Sequence, residues 1–143
     1  LLKDIVDESI KNVSALCDLK NIDIEKNGSE VATIYCDFRW QVEAITNILK
    51  NCIEHSRENN KILVKYESNN VYSMISIRDF GDGIAKEDLP HIFERFYKGK
   101  NSSSESVGIG LALAKTIVEE DKGNIYVDSD EKGTIFTVKY FHI

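Results

Sequence analysis

The spacing of apolar residues alternates between two periods along this chain of 143 residues, and that alternation limits the folds open to it. Helical spacing is found near residues 2–20, 37–55 and 108–120, and strand-like runs lie between them. Helices and antiparallel hairpins thus follow one another without a regular strand–helix–strand rhythm, which favours an α+β fold over a doubly wound sheet. We predict one domain, 1–143, built as a two-layer sandwich with about three helices on one face of a mixed, mostly antiparallel sheet.

The individual elements can be placed more closely. Asp37 is a candidate N-cap for the second helix, which we expect to end near His55. A turn is expected at Asn27-Gly28. The predicted strands comprise residues 22–24, 31–36, 62–67, 71–78, 125–127 and 134–141.

Composition narrows the functional classes. The chain has 18 basic and 24 acidic residues, for a formal charge of −6, and this argues against a nucleic-acid binder held by phosphate contacts. Cys17, Cys36 and Cys52 have no metal-ligand spacing, so we expect reduced thiols. No apolar run approaches the ~18 residues of a membrane span. We therefore expect a cytoplasmic domain.

Two asparagines lie one turn apart on the second helix. Asn47 and Asn51 share a face, and His55 lies one turn further along it. Asparagine is a mediocre helix residue, so this pair calls for an explanation. The pair could belong to a solvated polar face, since Lys50 and Glu54 are near, or an amide oxygen could ligate a hard cation such as Mg²⁺.

A loop rich in Gly and Asp follows the strand at 71–78. Asp79 continues the strand face that points to the core, where its carboxylate needs a donor such as an adenine amino group. Gly81 and Gly83 let the backbone turn sharply and approach a flat ring. An Asx-type turn would also explain the loop. A calcium loop is excluded, because its sixth position is Ile84 and its twelfth is Pro90.

A second glycine pair, Gly108 and Gly110, leads from the Ser-rich tract 98–106 into the third helix. It is neither a Rossmann fingerprint nor a Walker loop, because the expected third glycine and the Gly-Lys-Ser/Thr run are absent. A helix N-terminus behind a polar loop can bind an anion through free N–H groups, although a simple glycine cap is the plainer interpretation. Between the two glycine pairs, Arg95 and Lys98 could neutralise a terminal phosphate.

Taken together, the four segments resemble the histidine-kinase branch of the ATPase superfamily that also contains gyrase, Hsp90 and MutL (the Bergerat fold). NILKNCIEHS matches the asparagine box of that family, DFGDG its first glycine box, IFERFYK its phenylalanine box and VGIGLALAK its second glycine box. Gly133-Thr134 resembles the start of its final strand. The similarity covers almost the whole chain, from about residue 2 to residue 141.

The resemblance implies a role for each matching residue. Asn51 would ligate Mg²⁺, Asn47 would lie beside the triphosphate of ATP, and Asp79 would read the adenine amino group. Lys98 would reach the terminal phosphate, and His55 would fill part of the role of a lysine that many members carry there. The other implied nucleotide contacts are Gly81, Gly83, Ile84, Tyr97, Gly108, Ile109, Gly110, Leu111 and Thr134.

The resemblance also implies the reaction and the partners. The γ-phosphoryl group of ATP would pass to a histidine on a separate dimerisation helix, and from there to a response regulator. None of His55, His91 and His142 lies in the family's acceptor motif, so this chain should bind ATP or ADP without autophosphorylating. Dimerisation in the family belongs to the separate helices, so we expect this chain to be a monomer. The parent protein would be membrane-anchored. A hydrolytic ATPase, with Glu43 as the base, an anti-sigma-type serine kinase and a degenerate interaction module remain alternatives.

Overall fold

A computed structural model describes residues 1–97 and 110–142 of the chain. Its elements, in chain order, are α1 (Leu2–Asn12), α2 (Ser14–Lys20), β1 (Asp23–Gly28), α3 (Phe38–His55), β2 (Lys61–Ser68), β3 (Tyr72–Asp79), a 3₁₀ turn (Leu89–His91), α4 (Gly110–Glu120), β4 (Gly123–Asp130) and β5 (Gly133–Phe141). The strands form one sheet in the order β1-β2-β3-β5-β4, in which β1 and β2 are parallel and the other neighbours antiparallel. The predicted α+β class is confirmed.

The longest helix, α3, is fixed at both ends. The carboxylate of Asp37 accepts a hydrogen bond of 3.1 Å from the backbone N–H of Trp40, which confirms the predicted N-cap. At the other end, the ammonium of Lys20 donates to the carbonyl oxygens of Ile53, Glu54 and Ser56 at 2.9–3.0 Å. These contacts satisfy carbonyls that a helix C-terminus leaves without a partner.

The core lies between the helices and one face of the sheet. In the β2–β3 hairpin, Val64 pairs with Ile77 and Tyr66 with Ile75, and all four side chains are buried. Phe136 on β5 continues this layer. The apolar stripe predicted on α3 packs against this layer of the sheet. Its residues Ile45, Ile48, Leu49, Cys52 and Ile53 are all buried.

Two details of the N-terminal third differ from the prediction. The expected single first helix is broken at Val13, whose ψ of 5° leaves the helical range, and the Ser14 hydroxyl next to it donates to the carbonyl of Lys11. Residues 31–36 form no strand, because the backbone there bonds to other groups: Leu2 N–H donates to Ala32 and the Ser73 hydroxyl to Thr33.

The predicted turn at Asn27-Gly28 is also wrong, since both residues belong to β1. A Cβ on Gly28 would lie 2.1 Å from the carbonyl oxygen of Tyr66 and 2.5 Å from its ring. The glycine is therefore explained by close packing of β1 on β2 rather than by a turn.

The three cysteines are free thiols, with Cys17 and Cys52 buried and Cys36 half-buried. Among the helices of the described ranges, none combines the length and the apolarity that crossing a bilayer requires.

Candidate functional site

Asp79 is a buried carboxylate at the end of β3, with only 2% of its surface exposed. Its Oδ1 accepts two backbone hydrogen bonds of 3.1 Å, one from Gly81 N–H and one from Thr134 N–H. The inward direction inferred from strand alternation is thus confirmed. Because both backbone donors converge on Oδ1, Oδ2 is the oxygen with more capacity for a further donor.

The protonation of Asp79 reflects opposing influences. Burial raises the pKa of this carboxyl above its ordinary value, because a charge is disfavoured away from water. Hydrogen bonds from Gly81, Thr134 and the Cys52 thiol, together with the charge of His55, act in the opposite direction on that pKa. A carboxylate buried this deeply, with donors arranged around it, is a pattern that clusters at functional sites.

Glycines allow the backbone to close around Asp79. Gly83 has φ +82°, and a Cβ there would lie 2.0 Å from the carbonyl oxygen of Asp130. Gly133 has φ +138°, and its Cβ would lie 2.2 Å from the carbonyl oxygen of Asp79. Both backbone conformations are unfavourable for residues with a side chain. The first glycine loop therefore packs directly on the β4–β5 turn.

Ser129 joins the same parts of the fold and was not predicted as a site residue. Its hydroxyl accepts from Ile84 N–H at 2.8 Å and lies 2.8 Å from the hydroxyl of Thr134. Ile84 and Thr134, both predicted site residues, are thereby brought together. No sequence signal distinguishes Ser129 from other serines, whereas Gly133 belongs to the Gly133-Thr134 pair that the sequence already indicated.

The two asparagines predicted on α3 are half-buried. Asn47 lies beside the first residue of α4, because a Cβ on Gly110 would be 3.8 Å from Cβ, Cγ and Oδ1 of Asn47. Within residues 1–97 and 110–142, no hydrogen bond occupies the amide of Asn47 or of Asn51. Both amides therefore retain their capacity to bind a ligand, that of Asn47 beside the start of α4 and that of Asn51 one turn further along α3.

His55 occupies the last turn of α3, near Asp79. It is half-buried, and its carbonyl oxygen would lie 2.4 Å from a Cβ on Gly81. Next to it, the guanidinium of Arg57 pairs with the carboxylate of Asp82, and both side chains are exposed. The C-terminal end of α3 is thus held against the first glycine loop.

Tyr97 is the last described residue before position 110. Its hydroxyl donates to the carboxylate of Asp88, and its ring lies 5.2 Å from that of His91. The hydrogen bond to Asp88 is the largest influence that raises the pKa of Tyr97 to about 12. Tyr97 therefore stays neutral, and its bond to Asp88 anchors the 3₁₀ turn.

The remaining predicted residues divide into two groups. Lys98, Gly108 and Ile109 lie outside the described residues. The side chain of Leu111 packs in the apolar core, so a ligand contact from this residue would come through its backbone N–H. In the part of the chain that the structure describes, no group of three His, Cys, Asp or Glu residues could hold a metal by itself.

A different cavity, of about 790 Å³, opens beside the opposite end of β5. Its lining residues are Leu1, Thr33, Ile34, Tyr35, Glu120, Asp121, Lys122, Tyr140, Phe141 and His142. None of the predicted site residues lines it.

Comparison with known proteins gives the following relatives. The family model for the histidine kinase-, DNA gyrase B-, and HSP90-like ATPase matches residues 36–142. The sensor protein SrrB of Staphylococcus aureus is 30% identical over 149 residues, an alignment that covers 94% of this chain and 26% of SrrB. The chain thus spans about a quarter of the length of the curated relatives it matches.

Solved structures share the fold. The mycobacterial sensor histidine kinase MprB superposes with a TM-score of 0.82 at 21% identity, covering 98% of this chain and 95% of that one. The catalytic domain of histidine kinase ThkA gives 0.85 at 23%, with 98% and 93% covered. The histidine kinase AdeS of Acinetobacter baumannii gives 0.80 at 26% identity, with 98% and 64% covered.

Proposed function

We propose, from the premise that this chain belongs to the family of histidine kinase-, DNA gyrase B- and HSP90-like ATPases, that it is the ATP-binding catalytic domain of a two-component sensor histidine kinase. It would transfer the γ-phosphoryl group of ATP to a histidine on a separate dimerisation domain. The observation that carries the proposal is the buried carboxylate of Asp79, held by backbone donors at the end of a strand. The names of the sensor protein SrrB and the histidine kinase AdeS support it.

Asp79 is the group we assign to the nucleobase. With two backbone donors on Oδ1, its carboxylate can accept a further N–H through Oδ2, and the exocyclic amino group of adenine supplies one. A keto group at that ring position would instead place two acceptors against each other. The glycines at 81 and 83 would let the backbone lie close to the flat ring.

Mg²⁺ fits the asparagine side chains of α3. This cation accepts neutral oxygen ligands and keeps waters and phosphate oxygens in its other positions, so a dedicated acidic cluster is not required. The amide of Asn51, which has no hydrogen bond within the described ranges, is the ligand that we assign. When bound with ATP, the ion would neutralise charge on the phosphate oxygens.

The triphosphate would lie beside Asn47 and the start of α4. The first N–H groups of a helix have no partner within it and favour an anion. Asn47 lies beside Gly110 there, so its amide would face the same anion. We further assign Lys98 to the terminal phosphate and the backbone N–H groups of Gly108 and Gly110 to the other phosphates. Tyr97, Ile109 and the backbone N–H of Leu111 are assigned as further nucleotide contacts.

The chemistry needs positioning and charge neutralisation more than covalent help from the protein. A neutral imidazole nitrogen of the partner attacks the γ-phosphorus, the bond to the β–γ bridging oxygen breaks, ADP leaves, and the imidazole releases its N–H proton to solvent. An amide at Asn47 cannot deprotonate water as a carboxylate base would. We therefore expect little ATP hydrolysis by this chain alone.

The deciding experiment mixes the chain with a candidate acceptor-histidine domain and γ-labelled ATP. Acid-labile, base-stable label on the acceptor histidine is expected, and it should disappear when that histidine is replaced by glutamine. Steady turnover of ATP to phosphate by the chain alone would favour a hydrolytic ATPase. Acid-stable label on serine would favour a serine kinase, and no heat with millimolar Mg²⁺-ADP in calorimetry would indicate an interaction module.

The partners and the setting of the whole protein are part of the same proposal. A response regulator would receive the phosphoryl group from the acceptor histidine. The parent protein would be anchored in a membrane with this domain in the cytoplasm, and the isolated chain would be monomeric.

A further inference from the structure

Asn60 immediately precedes β2, and its half-buried side chain bonds to the first glycine loop. Its Nδ2 donates a hydrogen bond of 3.2 Å to the carbonyl oxygen of Phe80, the residue between Asp79 and Gly81. Its Oδ1 accepts from the backbone N–H of Lys61 at 2.8 Å. Because only the oxygen of the amide can accept from that N–H, the NH₂ group faces Phe80.

The backbone of Asn60 is held independently of its side chain. Its carbonyl oxygen accepts from the N–H of Asp23, at the start of β1, at 3.1 Å. The β2–β3 ladder reaches the pair Ile62 and Asp79, so Asn60 lies just beyond its end. The side-chain bond to Phe80 therefore extends the contact between the two strands past their last backbone pair, from an anchored base.

A single peptide unit connects Asn60 to the buried carboxylate. The carbonyl of Phe80 and the N–H of Gly81 belong to one planar trans group and point in opposite directions. The carbonyl accepts from Asn60 on one side, and the N–H donates to Asp79 Oδ1 at 3.1 Å on the other. Rotation of this peptide would replace the donor with a carbonyl oxygen, which repels a carboxylate. The bond from Asn60 opposes that rotation.

We infer that Asn60 is a positioning residue for nucleotide recognition: its amide holds the peptide between Phe80 and Gly81, which keeps the Gly81 N–H on Asp79 Oδ1 and leaves Oδ2 directed to the adenine amino group. This inference rests on the proposed function, because it concerns the carboxylate assigned there to the nucleobase. Asn60 contacts neither nucleotide nor metal in this role and acts only through the loop.

The test compares Asn60→Asp with Asn60→Ala. Aspartate keeps an oxygen for the N–H of Lys61 and loses only the donor to Phe80, whereas alanine loses both. Calorimetry measures the affinities for Mg²⁺-ADP and for the Mg²⁺ complex of purine riboside 5′-diphosphate, which carries hydrogen in place of the amino group. The preference for ADP should fall about five-fold in both variants, as for one lost hydrogen bond. Any effect of the added charge on the phosphates is common to both ligands and cancels in the preference.

Asn69 supplies the matched control, because it lies at the opposite end of the same β2–β3 hairpin. Its Oδ1 accepts from the N–H groups of Val71 and Tyr72 at 2.8 and 2.9 Å. Asn69→Ala should therefore lower the thermal stability and leave the preference for ADP unchanged. A preference that is equal in the unsubstituted chain and in both Asn60 variants would overturn the inference. An equal loss of affinity for the two nucleotides would also overturn it, since general loosening of the fold acts on both.

A second readout does not depend on nucleotide binding. NMR follows amide hydrogen exchange in the ligand-free chain at the two backbone donors to Asp79, which are Gly81 and Thr134. Exchange at Gly81 should accelerate about five-fold in both Asn60 variants, because the bond that opposes opening of the loop is lost. Exchange at Thr134, on β5, should stay unchanged. Equal rates at Gly81 in all three chains would overturn the inference, as would an acceleration at Thr134 as large as that at Gly81.

The two readouts separate failure of this inference from failure of the proposed function. Asn60→Asp, which keeps the size and shape of the side chain, carries the test alone if Asn60→Ala does not fold. If the unsubstituted chain binds no ADP, the proposed function fails, while the exchange rate at Gly81 still tests whether Asn60 holds the loop.

Discussion

Thr134, at the start of β5, donates its backbone N–H to the carboxylate of Asp79, at the end of β3, across 3.1 Å. Fifty-five residues separate the two along the chain. The other backbone donor to this carboxylate, Gly81, is a near neighbour in sequence, so the bond from Thr134 is the one that ties the buried charge to a distant strand.

Asp79→Asn should abolish ADP binding without lowering thermal stability. The asparagine Oδ1 can still accept from Gly81 and Thr134, but its NH₂ would then oppose the adenine amino group. The same NH₂ could donate to a keto group, so the variant should prefer IDP over ADP. Calorimetry with both nucleotides and a melting curve check this, with Asp128→Asn, an exposed aspartate on β4, as control. Unchanged ADP affinity would contradict the assignment of Asp79.

Affinity for ADP should fall on acidification earlier than it would for an ordinary exposed aspartate. The ionised carboxylate is the form that accepts the amino group, and burial raises the pKa of Asp79 above its ordinary value of 3.8. Binding is therefore lost as pH falls through that raised pKa. Calorimetry across a pH series measures the effect after correction for titration of the nucleotide itself.

The same raised pKa has the opposite effect on the stability of the ligand-free fold: the contribution of Asp79 to it should improve rather than weaken on acidification. The folded chain holds the Asp79 proton more tightly than the unfolded chain, so the contribution of Asp79 to the free energy of unfolding decreases as pH rises from 3.8 through the folded pKa. The stability difference between Asp79→Asn and the unsubstituted chain should grow in that window in favour of asparagine. Urea unfolding at several pH values measures it, and a difference that shrinks with rising pH would refute it.

Asn51→Ala should remove the magnesium dependence of ADP binding while preserving the fold. Loss of a ligand should weaken the Mg²⁺-dependent part of the affinity by at least about ten-fold, the lower bound for lost partners around a metal. Affinity measured with excess chelator should be unaffected. Asn124→Ala, an exposed position on β4, is the control. An equal loss with and without Mg²⁺ would show a role other than metal binding.

Gly133→Ala should destabilise the chain, whereas Gly110→Ala should not. The first substitution combines φ +138° with a Cβ 2.2 Å from the carbonyl oxygen of Asp79, and such backbone strain costs about 1–3 kcal/mol before the clash is counted. At Gly110 the nearest atoms are 3.8 Å away, and alanine is the better helix former. Urea unfolding compares the two variants; equal stability would contradict the close packing described.

Lys20→Met should lower the free energy of unfolding by about 1–3 kcal/mol, because the last carbonyls of α3 would lose a charged donor. The ammonium donates to Ile53, Glu54 and Ser56, and methionine keeps the apolar stem. Lys11→Met, at an exposed site in the last turn of α1, is the matched control and should change little. Similar midpoints for the two variants in urea would refute the proposed cap.

Sequence patterns predicted the elements whose packing depends on local periodicity. The stripe on α3, the cap at Asp37 and the inward carboxylate of Asp79 follow from periods of 3.6 and 2, and the structure confirms them. The turn expected at Asn27-Gly28 is wrong because Gly28 lies against the ring of Tyr66, a contact set by strand pairing rather than by neighbours in sequence.

Within the site too, local sequence indicated the residues but not the tertiary contacts between them. Family motifs indicated Asp79 and Thr134, but their bond could not be predicted, since it depends on β5 lying next to β3 in the sheet. The bridge from Ser129 to Ile84 arises in the same way, from a tertiary contact between ordinary residues.

The strand order has a consequence for how the domain acquires its ligand. β5 inserts between β3 and β4, so Thr134 meets Asp79 only after a long loop has closed. The entropy cost of closing that loop comes before the hydrogen bond between the two residues can stabilise the fold. A nascent or truncated chain that ends before residue 133 would have the asparagine helix and the carboxylate, yet no completed pocket. Nucleotide would thus protect only chains whose last strand has docked, so resistance to proteolysis in ADP would report completion of synthesis rather than partial folding.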